Sequence, residues 1–279
     1  MNYRTLVVAG GVSLAAIAGA CTTSTGLSAP RPFAFIDIRE LPGTNGTGLG
    51  PYASAIFIKD RVTGVLPSSQ LGESCTPPTA ITIDDGSATS ANSANLDPGS
   101  VLMTLKGTAD TTTRSVSLTP STVSGGLLRY VNQVVPPLSA GTDSVRINVG
   151  GQAGGFPAFS LTTWTVPHFV AQPVDDSIVG QGIRIQWTGL APGAPTRMQI
   201  SLQYSDGTVS NPNIEVRCIA IDDGDFTVPR QYLTDWQEAG VDASNRRHQA
   251  VLSRFNTVGG TVADGVVAIV TRIDTTIVK

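Results

Sequence analysis

The chain has 279 residues, a formal net charge of −3 and a charged fraction of 14%, well below the roughly one quarter that is usual for soluble domains. Because cations are few and no basic run occurs, the composition argues against a nucleic-acid-binding protein. Gly, Thr, Ser, Val and Pro take the place of the charged residues, which is typical of short strands joined by tight turns.

The chain begins with the features of a secretory signal peptide. Arg4 precedes an uncharged apolar run from Leu6 to Ala18, and the small residues Gly19 and Ala20 follow. A bilayer-spanning helix needs about 20 apolar residues, so this run is too short to span. One cation, a short apolar core and small residues predict cleavage by a signal peptidase. We therefore expect residues 1–20 to be absent from the mature protein.

The sequence AGAC at residues 18–21 resembles the lipobox of bacterial lipoproteins. This resemblance implies that the Cys21 thiol carries a diacylglyceryl group and that the new N-terminus is acylated. The alternative is an ordinary signal peptide that leaves Cys21 as an incidental thiol. Residues 21–32 are rich in Thr, Ser, Gly and Pro and predict a flexible tether. The resemblance also implies an outer-membrane location, because Thr22 stands where inner-membrane lipoproteins carry Asp.

Alternating apolar residues predict a first β-sandwich domain over residues 33–168. Val101, Met103 and Leu105 share one phase of a strand, and SVRINV, residues 144–149, repeats the pattern. Turn signals such as DPG at 97–99 separate the runs. No segment of this region has a helical period, so we expect antiparallel strands in two packed sheets.

Residues 169–279 predict a second sandwich of immunoglobulin-like size. Ile183, Ile185 and Trp187 alternate inward, and six or seven strands in about 110 residues match that fold. The stretch VPRQYLTDW predicts one short helix, with Trp236 packed against the sandwich. The predicted fold class is therefore all-β, with two antiparallel β-sandwich domains after a signal peptide and a tether.

Part of the second domain is similar to a module of uncharacterised lipoproteins from Gram-negative bacteria. The similarity lies in GIRIQWTG, then a strand that carries Cys218, then DDGDFTVPRQYL, with GGFPAF preceding them. It implies a location in the cell envelope. It implies no activity, because that family has none to transfer.

Two loops carry neighbouring aspartates that would suit calcium. Asp84 and Asp85 lie in one loop, and Asp222, Asp223 and Asp225 lie in the other. Calcium takes six to eight oxygen ligands, but the spacing matches no EF-hand. Asp-Gly after a strand is a common turn signal, since both residues tolerate positive φ. We favour turns over a calcium site, and the sequence predicts no cofactor.

Cys75 and Cys218 remain after lipidation, in a compartment that favours disulfides. A disulfide requires Cα atoms within about 7 Å, and the expected placement of the two cysteines in different domains argues against one. Cys218 also shares the inward phase of its strand, which suits a buried thiol. Both alternatives stay open, with a slight preference for the bond.

The sequence lacks the common motifs of catalysis. It has two histidines, His168 and His248, and no G-x-S-x-G, H-E-x-x-H or P-loop motif. Trp187 is expected in the core rather than as a sugar-stacking platform, whereas Trp164 ends its strand and is left unassigned.

We therefore expect a lipid-anchored protein of the cell envelope that acts as a binding or structural module rather than as an enzyme. Its partners would be the membrane, through the anchor, and an envelope protein or a glycan, with no nucleic acid. The alternative is a carbohydrate-active hydrolase that uses a carboxylate pair in the cleft between the two domains.

The lipidation hypothesis predicts that Cys21→Ala releases the protein from the membrane fraction into the soluble fraction. The reason is that the acyl chains at this residue are the expected anchor, and two or three chains hold a protein firmly on a bilayer. Fractionation of cells followed by immunoblotting measures the distribution. Membrane retention equal to that of the wild type would contradict the hypothesis.

Overall fold

The fold is described from a computed structural model, which describes residues 31–40, 52–59, 72–80, 95–107, 113–122, 128–132, 144–173, 182–191, 194–205, 212–234, 236, 249–263 and 265–278. The predicted signal peptide, Cys21 and the predicted tether up to residue 30 lie outside these ranges. Asp84, Asp85 and His248 also lie outside them.

Strands make up nearly all of the regular structure in the described residues, together with the 3₁₀ helix Arg230–Tyr232 and the helical residues Thr234 and Trp236. The strands are β1 Phe33–Glu40, β2 Tyr52–Ile58, β3 Ser74–Cys75, β4 Thr79–Ala80, β5 Val101–Lys106, β6 Thr113–Thr122, β7 Leu128–Asn132, β8 Ser144–Val149, β9 Phe159–Trp164, β10 Gly182–Gln186, β11 Arg197–Tyr204, β12 Ile214–Ile221, β13 Asp225–Pro229, β14 Gln249–Val262 and β15 Gly265–Val278.

Most strands belong to one large mixed sheet. Its order is β3-β12-β11-β14-β15-β1-β2-β7-β6-β5-β8-β9, with β4 also beside β12, and β10 and β13 form a separate two-stranded sheet. Among the described pairs, β1 and β15 run parallel and the others run antiparallel. The predicted all-β class is confirmed. The sheet is mixed rather than purely antiparallel, because a strand near the end of the chain inserts beside β1.

Strand β6 connects two parts of the sheet. Its residues 113–118 pair with β5, and its residues 119–122 pair with β7. The strands β5, β8 and β9 thereby continue from the β1-β2-β7 part, and a first core lies between the two parts. This first core consists of Ala34, Ile36, Ile38, Ala53, Ala55, Phe57, Val101, Met103, Leu105, Leu118, Tyr130, Val145, Ile147, Val149, Phe156, Phe159, Val267 and Ile269.

A second core lies between the β10-β13 sheet and strands β11, β12, β14 and β15. Trp187 is 5% exposed, so its predicted core position is confirmed. Trp236 is buried and, like Thr234, helical, and it follows the 3₁₀ helix within the stretch for which the sequence predicts one short helix. The second core consists of Val166, Phe169, Ile183, Ile185, Trp187, Met198, Ile200, Leu202, Tyr204, Val216, Cys218, Ala220, Val228, Leu233, Trp236, Ala250, Leu252 and Ile273.

The hairpin of β14 and β15 contributes to both cores. Val267 and Ile269 of β15 lie in the first core, whereas Leu252 of β14 and Ile273 of β15 lie in the second. The two cores therefore share strands that lie at the end of the chain. The division at residue 168 into two immunoglobulin-like domains stays a prediction.

Strand β1 is buried on both of its faces. Ala34 and Ile36 point into the first core, and Phe33 and Phe35 point to the opposite face. On that opposite face they form a third apolar cluster with Ile56, Ile58, Phe255, Ala268 and Val270. Burial on both faces is typical of strands with a parallel neighbour, whose sequences read as continuous apolar runs.

Cys75 and Cys218 are joined by a disulfide with an S–S distance of 2.02 Å. Cys75 in β3 lies directly opposite Cys218 in β12, and their Cα atoms are 4.0 Å apart. The argument against this bond assumed that the two cysteines belong to separate domains. The short segment 72–80 instead lies at the edge of the second core, beside β12, and so brings Cys75 to its partner.

We predict that the double variant Cys75→Ser/Cys218→Ser loses about 2–5 kcal/mol of unfolding free energy. The bond spans a sequence separation of 143 residues, for which chain entropy alone gives about 5 kcal/mol, while measured losses are more often about 2–4 kcal/mol. Urea unfolding measures the change. Reduced wild-type protein should unfold like the variant, and an unchanged midpoint in both would contradict the prediction.

Candidate functional site

Asp222 forms a buried ion pair with Arg254, and both side chains are at most 1% exposed. Arg254 Nη2 donates to Asp222 Oδ1 at 2.9 Å. Arg254 Nε lies 2.7 Å from Oδ2, but the direction of its N–H makes this a charge contact rather than a hydrogen bond. Trp187 Nε1 donates to Oδ1 at 2.9 Å, and Thr196 Oγ1 donates to Oδ2 at 2.7 Å. Both oxygens of the Asp222 carboxylate therefore have partners within the fold.

Arg254 also binds the segment that connects the two cores. Its Nη1 donates to the carbonyl oxygens of Pro167 at 3.0 Å and His168 at 3.2 Å, and its Nη2 donates to that of Thr188. Its guanidinium carbon lies 5.0 Å from the centroid of the Phe169 ring, which is a favourable cation–π distance. This network holds the backbone in place and has no open position for a ligand.

The other two aspartates of this loop have different roles. Asp225 makes a bidentate contact with Arg184, whose Nε lies 2.9 Å from each carboxylate oxygen, and this hydrogen bonding lowers the pKa of Asp225. Asp223 is exposed and accepts a hydrogen bond of 3.4 Å from the Asp225 amide. Gly224 has φ of 106°, as the predicted turn requires.

The described residues contain no group of three or more His, Cys, Asp or Glu side chains that could hold a metal ion. The loop with Asp84 and Asp85 lies outside those residues. Within the same part of the chain, no helix has both the length and the apolar character to cross a membrane.

A second buried charge cluster lies on the central strands of the large sheet. Arg272 Nη2 lies 2.7 Å and Arg39 Nη2 3.2 Å from Asp37 Oδ2. Arg39 Nε lies 3.5 Å from Asp274 Oδ2, and Ser253 Oγ donates to Asp274 Oδ1 at 2.5 Å. Two carboxyls thus share one arginine. The sequence did not point to this cluster, because its members come from three strands at opposite ends of the chain.

Burial dominates the titration of this cluster. Desolvation raises the pKa of Asp37 to about 7, against the opposing effect of Arg39, and the neighbouring charge of Asp274 raises it further while Arg129 lowers it. Desolvation also raises the pKa of Asp274. Perturbed carboxyls are common at active sites but also occur in structural networks. Asp37 is 3% and Asp274 8% exposed, so neither is open to a large substrate.

The outer face of strands β6, β5, β8 and β9 is open to solvent in the described structure. Its residues alternate with those of the first core and lie in three rows that cross the four strands. We call this surface the Trp164 face. It consists of Thr113, Lys106, Ser144 and Trp164 in the first row, Ser115, Thr104, Arg146 and Thr162 in the second, and Ser117, Leu102, Asn148 and Ser160 in the third.

Trp164 is the most distinctive residue of this face. Its side chain is 56% exposed, and it lies directly opposite Ser144. Thr271 Oγ1 of β15 donates to the Trp164 carbonyl oxygen at 2.7 Å, which fixes the backbone beneath the exposed ring. A large aromatic side chain gains several kcal/mol from burial. Its exposure at a fixed position is therefore a feature that a binding role would explain.

Ser144 and Thr162 lie next to the indole, and further hydroxyl and amide side chains cover the rest of the face. Thr104 Oγ1 and Ser115 Oγ are 3.2 Å apart, and Arg146 Nε donates to Ser160 Oγ at 2.8 Å. The face thus combines one aromatic plate with a regular array of donors and acceptors. The sequence alone leaves Trp164 unassigned, although it lies in the polar phase of β9.

A comparison with protein-family models finds no match for the chain, and no curated protein matches it significantly.

We predict that the stability of the protein falls as the pH rises from about 4 to about 7. Because the pKa of Asp37 is raised to about 7 in the folded state, the folded protein binds more protons than the unfolded chain across this window. One such group gives a slope of up to about 1.4 kcal/mol per pH unit. Urea midpoints between pH 4.5 and 8.5 measure the slope.

The variant Asp37→Asn should flatten this dependence, because the amide does not titrate. Asp225→Asn is the control, since the lowered pKa of Asp225 places its own contribution below this window. Stability that rises with pH over the window, or an unchanged slope in Asp37→Asn, would contradict the assignment.

Proposed function

We propose that the protein is a lipid-anchored binding module of the cell envelope that binds carbohydrate through the Trp164 face. The supporting observation is the exposed Trp164 ring, held at the end of a regular strand beside Ser144 and Thr162, on a face that carries further Ser, Thr and Asn side chains. The C–H bonds on one face of a sugar ring form an apolar surface that can stack on an indole. The hydroxyls of the sugar then need donors and acceptors at the sides, which this face supplies.

The anchor and the architecture complete this proposal. Cys21 would carry the lipid, residues 21–32 would be the tether, and the protein would lie at the outer membrane. Residues 33–168 and 169–279 would form two sandwich domains, the second immunoglobulin-like and similar to modules of other envelope lipoproteins. With this arrangement, the tether would let the Trp164 face reach a glycan near the membrane.

The alternative is a carbohydrate-active hydrolase. It draws on Asp37 and Asp274, two carboxyls that share Arg39, because the raised pKa of Asp37 resembles that of a general acid. Both carboxyls are buried and bound to arginine or serine, so this function ranks second. Release of reducing ends from a polysaccharide, lost in Asp37→Asn, would reverse the order.

We predict that Trp164→Ala weakens polysaccharide binding about tenfold or more, which corresponds to at least about 1.4 kcal/mol. Affinity electrophoresis and calorimetry on a panel of neutral and acidic polysaccharides measure binding by the full chain, in detergent where the anchor requires it. Trp164→Phe should retain part of the affinity, because a smaller aromatic ring still stacks.

Val170→Ala is the matched control, since Val170 is also an exposed apolar residue, at 66%, but lies outside the Trp164 face. Neither substitution should change the melting temperature much, because exposed side chains contribute little to stability. A wild-type protein that binds no polysaccharide, or a Trp164→Ala variant that binds as well as the wild type, would refute the proposal.

A further inference from the structure

The Trp164 face carries positive charge without any negative charge. Of its twelve side chains, Lys106 and Arg146 are the charged ones, and none is a carboxylate. The chain as a whole has a net charge of −3. The face is therefore locally cationic although the protein as a whole is slightly acidic.

Both cations lie near the tryptophan on this face. Lys106 lies opposite Ser144 on one side, and Trp164 lies opposite Ser144 on the other. Arg146 is two residues along β8, which makes it a diagonal neighbour of both Lys106 and Trp164, and such neighbours are about 7–8 Å apart in antiparallel sheets. One sugar ring on Trp164 would thus lie within reach of both positive groups.

Protection of a sheet edge does not explain these two cations. Lysines often lie on edge strands, where they prevent pairing with other chains. Lys106 lies on β5 and Arg146 on β8, and both strands have a neighbour on each side. The side chains also have no acidic partner in the described structure: Arg146 makes one side-chain hydrogen bond, to Ser160, and Lys106 makes none. Both cations are therefore open to an external anion.

We infer that the ligand of the Trp164 face is an acidic glycan whose sugars carry carboxylate groups. The inference rests on the proposed carbohydrate binding and specifies its substrate class. The sugar ring would stack on Trp164, and its carboxylate would accept hydrogen bonds from Arg146 and Lys106. The planar guanidinium of Arg146 matches a carboxylate geometrically, and the two charges would attract a polymer that bears repeated negative groups.

The test compares ligands that differ in one property at a time. Polygalacturonate and alginate are acidic polysaccharides with different sugars, methyl-esterified polygalacturonate has the same backbone without the charge, and polyglutamate has the charge without the sugar. Binding of the full chain is measured by calorimetry at ionic strengths from 0.01 to 1 M, over which the Debye length falls from about 30 to about 3 Å.

We expect at least one of the two acidic polysaccharides to bind, and polygalacturonate to bind at least tenfold more tightly than its methyl ester if it is the one that binds. The variant Lys106→Gln/Arg146→Gln should lose at least tenfold in affinity and most of the salt dependence. Lys59→Gln/Arg230→Gln is the matched control, because it changes the net charge equally at exposed residues away from this face. That control should bind like the wild type.

The outcomes separate this inference from the proposed function. If neutral and acidic polysaccharides bind equally and the Lys106/Arg146 variant is unaffected, the acidic specificity is wrong while carbohydrate binding stands. If polyglutamate binds as tightly as the acidic polysaccharides, or the control variant loses as much as the test variant, the face recognises charge alone and the inference is wrong. If no polysaccharide binds, both proposals fail.

Discussion

Both cores of the protein depend on the β14–β15 hairpin. Each strand has 14 residues, more than twice the five or six that are typical, and this length lets one hairpin reach two separate apolar clusters. Strand β15 pairs with β14 along its whole length and with β1 along residues 266–273. The first strand of the fold is therefore held by the last one. Loss of the hairpin would remove apolar side chains from both cores at once.

Arg254 places a charge on this same hairpin, at 0% exposure. A buried ion pair adds little net stability compared with apolar residues of similar size, but removal of one partner is costly, about 3–5 kcal/mol. The contribution of Arg254 to the fold comes from its hydrogen bonds to backbone carbonyl oxygens. It donates to the carbonyl oxygens of Pro167, His168 and Thr188, which belong to segments that connect strands. One side chain thereby fixes the connection between the two cores.

The hairpin also positions the candidate binding site. Thr271 of β15 donates to the carbonyl oxygen of Trp164, the last residue of β9, and the Arg254 contacts at Pro167 and His168 begin three residues further along. The backbone on both sides of the exposed indole is thus tied to the same structural element. A backbone that is held in this way loses little conformational entropy when a ligand binds above it.

The strand alternation was readable from the sequence because its cause is local. Val101, Met103 and Leu105 are buried while their neighbours are not, as period two requires. The same alternation places the residues of the Trp164 face at the intervening positions of these strands. It does not indicate whether that face is exposed to solvent or covered by another element.

The pairings that depend on distant parts of the chain were not readable. The parallel pairing of β1 with β15 joins strands more than two hundred residues apart, and no local pattern specifies such a partner. β3 has two residues, too few to show a period, so the position of Cys75 was hidden. Arg254 did leave a signal, since it shares the inward phase of Ala250 and Leu252, where an arginine requires a buried acid. The sequence alone does not identify that acid as Asp222, because Asp222 occupies what reads as an ordinary turn.

The distribution of charged side chains supports the Trp164 face as the candidate binding site. Several described ion pairs are internal, namely Asp222 with Arg254 and Asp37 with Arg39 and Arg272, whereas Asp225 pairs with Arg184 at the surface. Lys106 and Arg146 form no ion pair in the described structure, and they lie on the same face as an exposed tryptophan. Neither core needs Lys106, Arg146 or the Trp164 ring for its packing. Side chains that contribute little to folding are free to be selected for ligand binding. On this face they combine an aromatic ring with positive charge.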